Sequence, residues 1–471
     1  MHALGILAIL TLRIIPPNAI DDDLRGQWRV VVSNPAPVAE KDVPLHIWAT
    51  SGVIVSMPAE VCAPDREAAR CTIDVAPLQT RELTFTAEYG RRTGTYSGGV
   101  SMGTTTEYDT AIFGRDFVVT NANDEGAGSL RQAIHDANRD CAAGSGPCVI
   151  AFRLPPPVPA EGFFTIRPRT ALPPIAAAMF VDGESQTLHT GDTHAGPEIR
   201  IDGSDVSEGH GLVLTPSSSP RVEHLEIANF PGNGIESSAF YPEIRNNTLR
   251  NNGGRGVQII GSEYANVMDN VLSFNGRAGG FFWTANDIFV RRNEVIGNGA
   301  SGLFFHRPSV TPYKRAIAAD NVIAHNRHAG IGLSMAATGE FGQNTFRHNA
   351  SLPIDVGLDG DTRETLAGLP GQGGRQGAPV ITSARFDGTD TIVEMRLGER
   401  VWSGSVSTTV WLYTNDELLT RFLPRDNTFT VRIARDLRGQ SIRAAESTIF
   451  IYNWDYTAPG TSELSEPVAV E

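Results

Sequence analysis

The middle of the chain alternates short apolar segments with asparagine-rich polar turns at a fixed period. Asn247, Asn270, Asn293, Asn321 and Asn344 are each followed, five residues later, by a second asparagine. An apolar residue occupies the same place within each pair, and in four of the five repeats a glycine follows the second asparagine by four residues. The first asparagines are spaced by 23, 23, 28 and 23 residues. The chain therefore contains an internal repeat.

A period near 23 residues, without a long helical stripe, predicts a parallel β-helix in which each repeat forms one coil. Coils stack about 4.8 Å apart, so residues one period apart lie above one another. Asparagine suits such a stack because it tolerates left-handed conformations and because stacked amides hydrogen-bond along the column. We therefore interpret these asparagines as determinants of the fold rather than as catalytic residues.

Two flanking segments alternate apolar and polar residues in short runs, which predicts antiparallel β-sandwiches. Residues 26–112 include "WRVVVSN" and "ELTFTAEYG", and "VVVSNPAPVAEKDVPL" resembles the opening of Ig-like modules on bacterial surface proteins. Residues 379–471, with "TTVWLYT" and "STIFIYN", predict a second sandwich that resembles Ig-like or fibronectin-like modules. We interpret the Gly/Pro-rich residues 366–378 as a linker.

One segment, "FVVTNANDEGAGSLRQAIHDANRD", has helical periodicity. Ser129 and Gln132 form a capping box, and the following apolar residues share one face that can close the end of a solenoid. This cap, followed by Asn/Gly coils, resembles secreted bacterial right-handed parallel β-helix proteins related in fold to pectin lyases. The resemblance covers about Phe117 to Gly360 and implies an all-β fold with a β-helix over residues 115–365. It leaves the activity open, because that family includes lyases, hydrolases, epimerases and adhesins.

The four cysteines form two close pairs, Cys62 with Cys71 and Cys141 with Cys148. No histidine accompanies either pair at metal-ligand spacing, so two disulfides in a secreted or cell-surface protein of bacterial type are favoured over a metal site.

The first 20 residues contain an apolar run that we interpret as either the core of a signal peptide or the first strand of a truncated domain. No other segment approaches the length of a transmembrane span. The formal charge of -14 argues against nucleic acid as the main partner. The sequence predicts no oligomeric state.

Residues two and four beyond each register glycine are expected to face solvent. This pattern places Phe281, Trp283, Phe304 and His306 on one outer face as an aromatic patch. Such patches usually mark binding surfaces, and a flat aromatic platform would stack against sugar rings. The alternative is that a loop or a sandwich folds over these aromatics and buries them.

The long repeat adds five residues within "HRPSVTPYKR", beside this patch. We predict that Tyr313 extends the sugar-binding surface and that Arg307 and Lys314 hold an acidic group. If the protein is an enzyme, His306, Arg307 and Lys314 are the candidate groups for proton transfer or charge stabilisation.

A second outward column comprises Asn246, Asp269, Arg292, Asp320 and Gln343. Carboxylates two coils apart approach the upper separation found in inverting glycosidases. An arginine between them favours both ionised forms, however, so a salt-bridged ladder is the simpler interpretation. The outer strands offer no carboxylate cluster beyond Glu236, which argues against a calcium-dependent lyase mechanism.

Asp355, Asp359 and Asp361 alternate with glycines at a spacing that would suit calcium, although Asp-Gly turns also occur without metals. Taken together, the sequence predicts an exported or cell-surface β-helix protein that contacts polysaccharide. As an enzyme it would be a polysaccharide lyase or a glycoside hydrolase. The alternative is a noncatalytic adhesin or structural surface protein.

Overall fold

The structure is a computed structural model that describes most of the chain as strands joined by short turns. The described residues are 10–17, 20–34, 39–50, 52–65, 68–90, 94–103, 105–141, 147–191, 195–216, 219–283, 287–306, 316–334, 339–356, 378–398, 405–415, 417–424, 426–452, 456–462 and 464–471. They include two α-helices, α1 (Leu130–Asp140) and α2 (Glu184–Thr190), and a 3-10 turn at Gly203–Asp205. The chain divides into two compact units, which we call the N-terminal unit (Gly5–Asp116 with Ala143–Val149) and the β-helix unit (Phe117–Ala142 with Ile150–Glu471).

Three parallel sheets stack as a right-handed β-helix, as predicted. The first sheet contains Arg115–Val119, Cys148–Phe152, Met179–Asp182, Arg221–Glu223, Glu243–Arg245, Tyr264–Met268, Asp287–Arg291, Ala316–Ala319 and Gly339–Glu340. The second contains Phe164–Ile166, Ile199–Asp202, Leu225–Ala228, Thr248–Arg250, Val271–Ser273, Glu294–Ile296, Val322–Ala324 and Thr345–Arg347. The third contains Leu212–Leu214, Ile235–Ser237, Val257–Ile260, Gly280–Trp283, Leu303–His306, Ile331–Leu333 and Ile354–Val356.

Two asparagine ladders run through the interior of the β-helix, and Asn298 shows how each rung is bonded. Its Nδ2 donates to the carbonyl of Leu272 and to Oδ1 of Asn326, both at 2.9 Å. Its Oδ1 accepts from the backbone N–H and from Nδ2 of Asn275, at 3.1 and 3.0 Å. Because every ladder amide except that of Asn349 is almost fully buried, these bonds satisfy polar groups that water cannot reach. The predicted amide ladder is confirmed.

The left-handed conformation belongs to the residue before every ladder asparagine except Asn344. Asp269, Arg292 and Asp320 precede the first ladder with φ of 57°, 55° and 60°, and Phe274 and His325 precede the second at 55°. None of the described ladder asparagines has a positive φ. The expectation that these asparagines adopt left-handed turns is therefore wrong. The preceding residue turns the chain, which leaves the asparagine side chain directed inwards.

The N-terminal end of the solenoid is covered by α1. Its capping residue Ser129 accepts a hydrogen bond from the backbone N–H of Gln132 at 3.2 Å. The predicted apolar face is buried and comprises Leu130, Ala133, Ile134 and Ala137. Asn138 donates from Nδ2 to the carbonyl of Pro174 at 2.7 Å, which ties the helix to the first coils. The capping helix is thus confirmed.

The C-terminal end is covered by aromatic side chains of the C-terminal sheets. Trp411 is buried and packs so closely on Gly342 that a Cβ there would lie 2.2 Å from the indole ring. Tyr413, fully buried, has its ring centroid 6.1 Å from that of Phe346. Strands of this region therefore close the last coils of the β-helix.

Antiparallel, sandwich-like sheets flank the β-helix, as predicted. In the N-terminal unit one sheet orders Thr11–Ile15, Arg25–Ser33, Thr80–Tyr89 and Gly52–Ser56, and the other Cys62–Asp65, Ala68–Val75, Glu40–Thr50, Gly94–Met102 and Thr105–Phe113. In the C-terminal region one sheet orders Val380–Phe386, Thr391–Arg396 and Thr428–Ile433, and the other Glu417–Phe422, Ser405–Thr414, Ser441–Tyr452 and Tyr456–Thr461, with Val468–Ala469 beside Ser441–Tyr452. The Ig-like character and the domain boundaries stay predictions.

Part of the predicted leader is a strand, Thr11–Ile15, and residues 1–9 lie outside the described residues.

The four cysteines form disulfides. Cys62 is bonded to Cys71, and Cys141 and Cys148 are also disulfide-bonded, so both predicted disulfides are present. Most of the predicted linker lies outside the described residues. No helix in the described part of the chain is long and apolar enough to span a membrane.

Candidate functional site

The outer face of the third sheet carries the aromatic patch predicted from the repeat. Strand pairing aligns one outward column across seven coils: Val213, Glu236, Gln258, Phe281, Phe304, Gly332 and Asp355. A second outward column aligns Ile260, Trp283 and His306. The residues between them, such as Ile259, Phe282 and Phe305, are fully buried. The alternation inferred from the register glycines therefore holds on this sheet.

The four rings of the patch contact one another at steep angles. The Phe281 and Phe304 centroids lie 5.4 Å apart at 42°, and those of Trp283 and His306 lie 5.4 Å apart at 77°. Phe281 and Trp283 meet edge-to-face at 6.5 Å. The expected flat platform is therefore wrong, because these outward rings meet at a tilt or edge-to-face. The rings of the aromatic patch therefore face different directions, and the indole of Trp283 is the largest of them.

Trp283 is the ring of this patch that solvent reaches most. It is 42% exposed, whereas Phe281, Phe304 and His306 are each half-buried. The interpretation in which the aromatics are buried is thus wrong for Trp283. An indole held by neighbouring rings loses little side-chain freedom when a ligand stacks on it, which favours binding.

A cation covers part of the patch. The guanidinium carbon of Arg255 lies 4.0 Å from the centre of the Phe281 ring, and Nη1 donates to Oε1 of Gln258. Burial, together with the charge of Arg277, lowers the pKa of Arg255. Because Arg255 and its partners lie over it, Gln258 is buried although its register position is outward. The guanidinium therefore occupies one face of Phe281.

Next to Gln258 on the same column lies the carboxylate of Glu236, which several donors contact. Oε2 of Glu236 accepts from Asn233 Nδ2 at 2.9 Å and from Gln258 Nε2 at 3.2 Å, and Nε2 of His210 lies 3.1 Å from it. Nδ1 of His210 accepts the backbone N–H of Asn233 at 2.8 Å, so Nε2 carries the hydrogen and the ring is neutral. Glu236 nevertheless keeps about a third of its side chain exposed (33%).

The partners of Glu236 were missed by the sequence reasoning, although the repeat contains a signal for them. His210, Asn233 and Arg255 each precede a register glycine by one residue. They therefore occupy one position in three successive coils, at the edge of the outer face. Aligning this position in all repeats would have placed them beside Glu236 and Gln258.

The second predicted column forms a polar ladder rather than a catalytic pair. Arg292 contacts Asp269 through two bonds of 3.0 Å, from Nε to Oδ1 and from Nη2 to Oδ2. Gln343 donates from Nε2 to Oδ1 of Asp320 at 2.7 Å. A carboxylate whose two oxygens are both held by one arginine is poorly placed to donate a proton as a general acid. The predicted salt bridge between Asp269 and Arg292 is present, whereas Asp320 bonds Gln343 rather than Arg292.

Five of the predicted site residues lie outside the described residues: Arg307, Tyr313, Lys314, Asp359 and Asp361. Asp355 lies on the strand Ile354–Val356, where it is buried. The roles proposed for these six residues stay predictions.

Within the described residues, one other group has the composition of a metal site. Ligand atoms of Glu184, Glu223 and His224 lie within 4.8 Å of one another. Oε2 of Glu223 also accepts from Nε of Arg221 at 3.0 Å and from Nε of Arg245. Two guanidinium groups therefore already balance its charge, and we assign no metal here.

The chain thus contains a right-handed parallel β-helix. Residues 198–363 match a family model described as the right handed beta helix region. No curated protein has a matching sequence.

The solved structures that this chain is similar to have low sequence identity to it. One is a family 28 exopolygalacturonase from Yersinia enterocolitica, 12% identical over 73% of this chain and 80% of that chain, with a TM-score of 0.32. Another is the A-module of the mannuronan C-5 epimerase AlgE4 from Azotobacter vinelandii, 14% identical over 51% and 90%, with a TM-score of 0.24. A GH87 α-1,3-glucanase from Streptomyces thermodiastaticus is 12% identical over 74% and 92%, with a TM-score of 0.18. Similarities this distant leave the activity of the present chain open.

Proposed function

We propose that this protein is an exported or cell-surface polysaccharide-binding protein whose ligand lies on the outer face of the third sheet. The observation that carries the proposal is the exposed indole of Trp283, held edge-on by its neighbours on two adjacent strands. Apolar C–H faces of sugars stack on such rings, and nearby polar groups bind the hydroxyls. Disulfide formation agrees with an oxidising compartment outside the cytoplasm.

Binding without cleavage fits the described carboxylates better than hydrolysis does. On the outward column, Glu236 and Asp355 are separated by five coil steps of about 4.8 Å each. Glycosidases place their two carboxyl groups about 5 to 9.5 Å apart. These two residues therefore do not form a hydrolytic pair.

A second candidate, a polysaccharide lyase or glycoside hydrolase, is favoured by the position of His306. Its ring centroid lies 5.4 Å from that of Trp283, so an imidazole would stand beside a stacked sugar. In this candidate His306, Arg307 and Lys314 transfer protons or stabilise charge, and Asp355, Asp359 and Asp361 bind calcium. A noncatalytic adhesin or structural surface protein needs none of these roles.

The test is retention of the purified protein on immobilised neutral and acidic polysaccharides, with and without calcium. Trp283→Ala is compared with Phe274→Ala, because Phe274 is also an exposed aromatic but follows a strand of the second sheet. Retention lost only in Trp283→Ala supports the proposed face. Equal retention of both variants and the unaltered protein contradicts it. New reducing or unsaturated ends, absent after His306→Ala, would instead favour the enzyme.

A further inference from the structure

Exposed aromatic side chains cluster around one turn between the third and first sheets. Among the described phenylalanine, tyrosine and tryptophan residues, Phe240, Tyr241 and Trp283 are 45%, 53% and 42% exposed, and Phe274 is the other exposed one. The turn, residues 261–263, joins the strands Val257–Ile260 and Tyr264–Met268. Large aromatic side chains left open to solvent at one place usually mark a binding surface.

Backbone hydrogen bonds place this turn between the exposed aromatics. On one side, the N–H of Glu263 donates to the carbonyl of Phe240 at 3.0 Å. On the other side, the N–H of Gly261 donates to the carbonyl of Trp283 at 2.9 Å. Phe240 therefore lies one coil before the turn and Trp283 one coil after it. Two coil steps separate them, which amounts to about 10 Å along the solenoid.

The turn itself forms the floor of a groove. It has three residues, whereas the corresponding turn of the preceding coil, residues 238–242, has five. Ser262 is buried, and its Oγ donates to the carbonyl of Ala239 at 2.6 Å. Gly261 has a φ of 71°, and a Cβ at this position would have no described neighbour within 4 Å. The space above the turn is therefore open.

We propose that this groove binds one sugar unit of the ligand, with Trp283 on one side and Phe240 and Tyr241 on the other. The inference rests on the proposed polysaccharide-binding function and adds a subsite to the same surface. Carbon atoms in contact lie about 3.5–4 Å apart, so a sugar ring held on both faces needs about 7–8 Å between aromatic rings. The two coil steps between the aromatics provide that space.

The groove also gives the bound glycan a direction. His306 pairs with Trp283 and lies one coil beyond it, on the side away from the groove. A glycan that fills the groove and stacks on the aromatic patch therefore runs along the axis of the solenoid, across successive coils. A tyrosine at the outer end of this path offers an apolar ring for a C–H face and a hydroxyl for a polar group.

The experiment first measures retention of the full chain on the immobilised neutral and acidic polysaccharides, glucomannan and polygalacturonate among them. Titration calorimetry then uses a hexasaccharide prepared from a polysaccharide that is retained. Gly261→Asn fills the groove, because asparagine tolerates a left-handed conformation and its side chain enters the open space. Gly439→Asn is the matched control, since Gly439 has a φ of 76° and equally open surroundings in the C-terminal region.

Two further variants test the wall of the groove without altering a glycine. Tyr241→Ala removes the ring, and Tyr241→Phe keeps the ring and removes the hydroxyl. Unchanged thermal midpoints establish that each variant folds. Tyr241→Ala carries the test if Gly261→Asn does not fold.

We expect Gly261→Asn and Tyr241→Ala each to raise the dissociation constant of the hexasaccharide about fivefold, the effect of one aromatic contact. Gly439→Asn and Tyr241→Phe should stay within about twofold of the unaltered protein. Combining Trp283→Ala with Tyr241→Ala should raise the constant by less than the product of the two single effects, because both rings contact the same sugar unit.

Three results would overturn the groove while leaving the proposed function intact. In the first, Trp283→Ala loses retention but Gly261→Asn and Tyr241→Ala bind as the unaltered protein does. In the second, Gly439→Asn weakens binding as much as Gly261→Asn, so the added side chain does not act through the groove. In the third, the effects of Trp283→Ala and Tyr241→Ala multiply fully, which places the two rings on separate sugar units. If no polysaccharide is retained, the proposed function itself fails and the groove fails with it.

Discussion

The interior of the β-helix and the outer face of its third sheet are built on the same coils, yet they treat polar groups in opposite ways. In the interior, each ladder amide before the last pair, Asn344 and Asn349, makes bonds to the coils on both sides, as Asn298 does. On the outer face, the indole of Trp283 is uncovered and Oε1 of Glu236 has no described hydrogen-bond partner. Stacking demands uniformity inside, whereas departures outside occur on the surface that we propose binds a ligand.

The largest effect on stability is expected at the C-terminal end of the β-helix, which the C-terminal sheets cover. Trp411→Ala removes a buried indole from above Gly342, and we expect the free energy of unfolding to fall by about 3–5 kcal/mol, as for other large-to-small core changes. Urea denaturation followed by far-UV circular dichroism measures the change. Val380→Ala, at an exposed strand position of the same region, is the control. A loss below about 1 kcal/mol would mean that the ring does not close the solenoid.

The second largest loss of stability is expected when one asparagine of the ladder is replaced. In Asn298→Ala four hydrogen bonds disappear, and buried partners on Asn275, Leu272 and Asn326 lose them. Each unsatisfied buried group costs about 1–3 kcal/mol, so we expect a loss of at least about 2 kcal/mol. Glu294→Ala, on the exposed face of the same coil, should cost under about 0.5 kcal/mol in the same denaturation experiment. Similar values for both variants would remove the distinction between interior and surface.

On the outer face, a substitution should change ligand affinity more than it changes the free energy of unfolding. Trp283→Ala should leave the free energy of unfolding within about 0.5 kcal/mol of the unaltered protein, because the indole is 42% exposed. Its dissociation constant for the retained polysaccharide should rise about tenfold, which corresponds to about 1.4 kcal/mol. Titration calorimetry and denaturation on the same samples separate these quantities. A large loss of stability with unchanged affinity would make Trp283 a structural residue.

The smallest effect is expected in the ion pair of the outer ladder. Arg292→Lys replaces two bonds to Asp269 by one, between side chains that are 22% and 16% exposed. We expect a loss below about 1 kcal/mol that shrinks in high salt. A double-mutant cycle with Asp269→Asn isolates the pair. A coupling energy that does not depend on salt would contradict a partly exposed pair.

The sequence predicted the structural features that repeat from coil to coil, but it did not predict those that occur only once. The period of Asn247, Asn270 and the later coils predicted the solenoid, the ladders and the outward position of Trp283. The register of the early coils was not predicted, because "FTIRPRTALPPIAAAMFVDG" lacks the asparagine markers, and α2 was missed, because it has seven mostly polar residues. A short polar helix has no apolar periodicity to detect.

Contacts between distant segments were also missed, for a different reason. Nothing in the periodicity joins Gly342 to Trp411, since the two meet only when the C-terminal sheets fold onto the last coil. The partners of Glu236 were recoverable from the repeat, whereas the tilt of the aromatic rings was not. Ring angles depend on side-chain packing across coils, which a single sequence does not specify.

The longest repeat, between Asn293 and Asn321, has a consequence for how such a protein evolves. Asn293 and Asn321 are 28 residues apart rather than 23, yet Nδ2 of Asn293 bonds Oδ1 of Asn321 at 2.9 Å, within the 2.7–3.1 Å of the other rungs. The ladder therefore keeps its register whether or not residues are added at this turn. Such a turn is an acceptor site for new segments, where evolution or a protein engineer can exchange peptides while the scaffold beneath keeps its geometry.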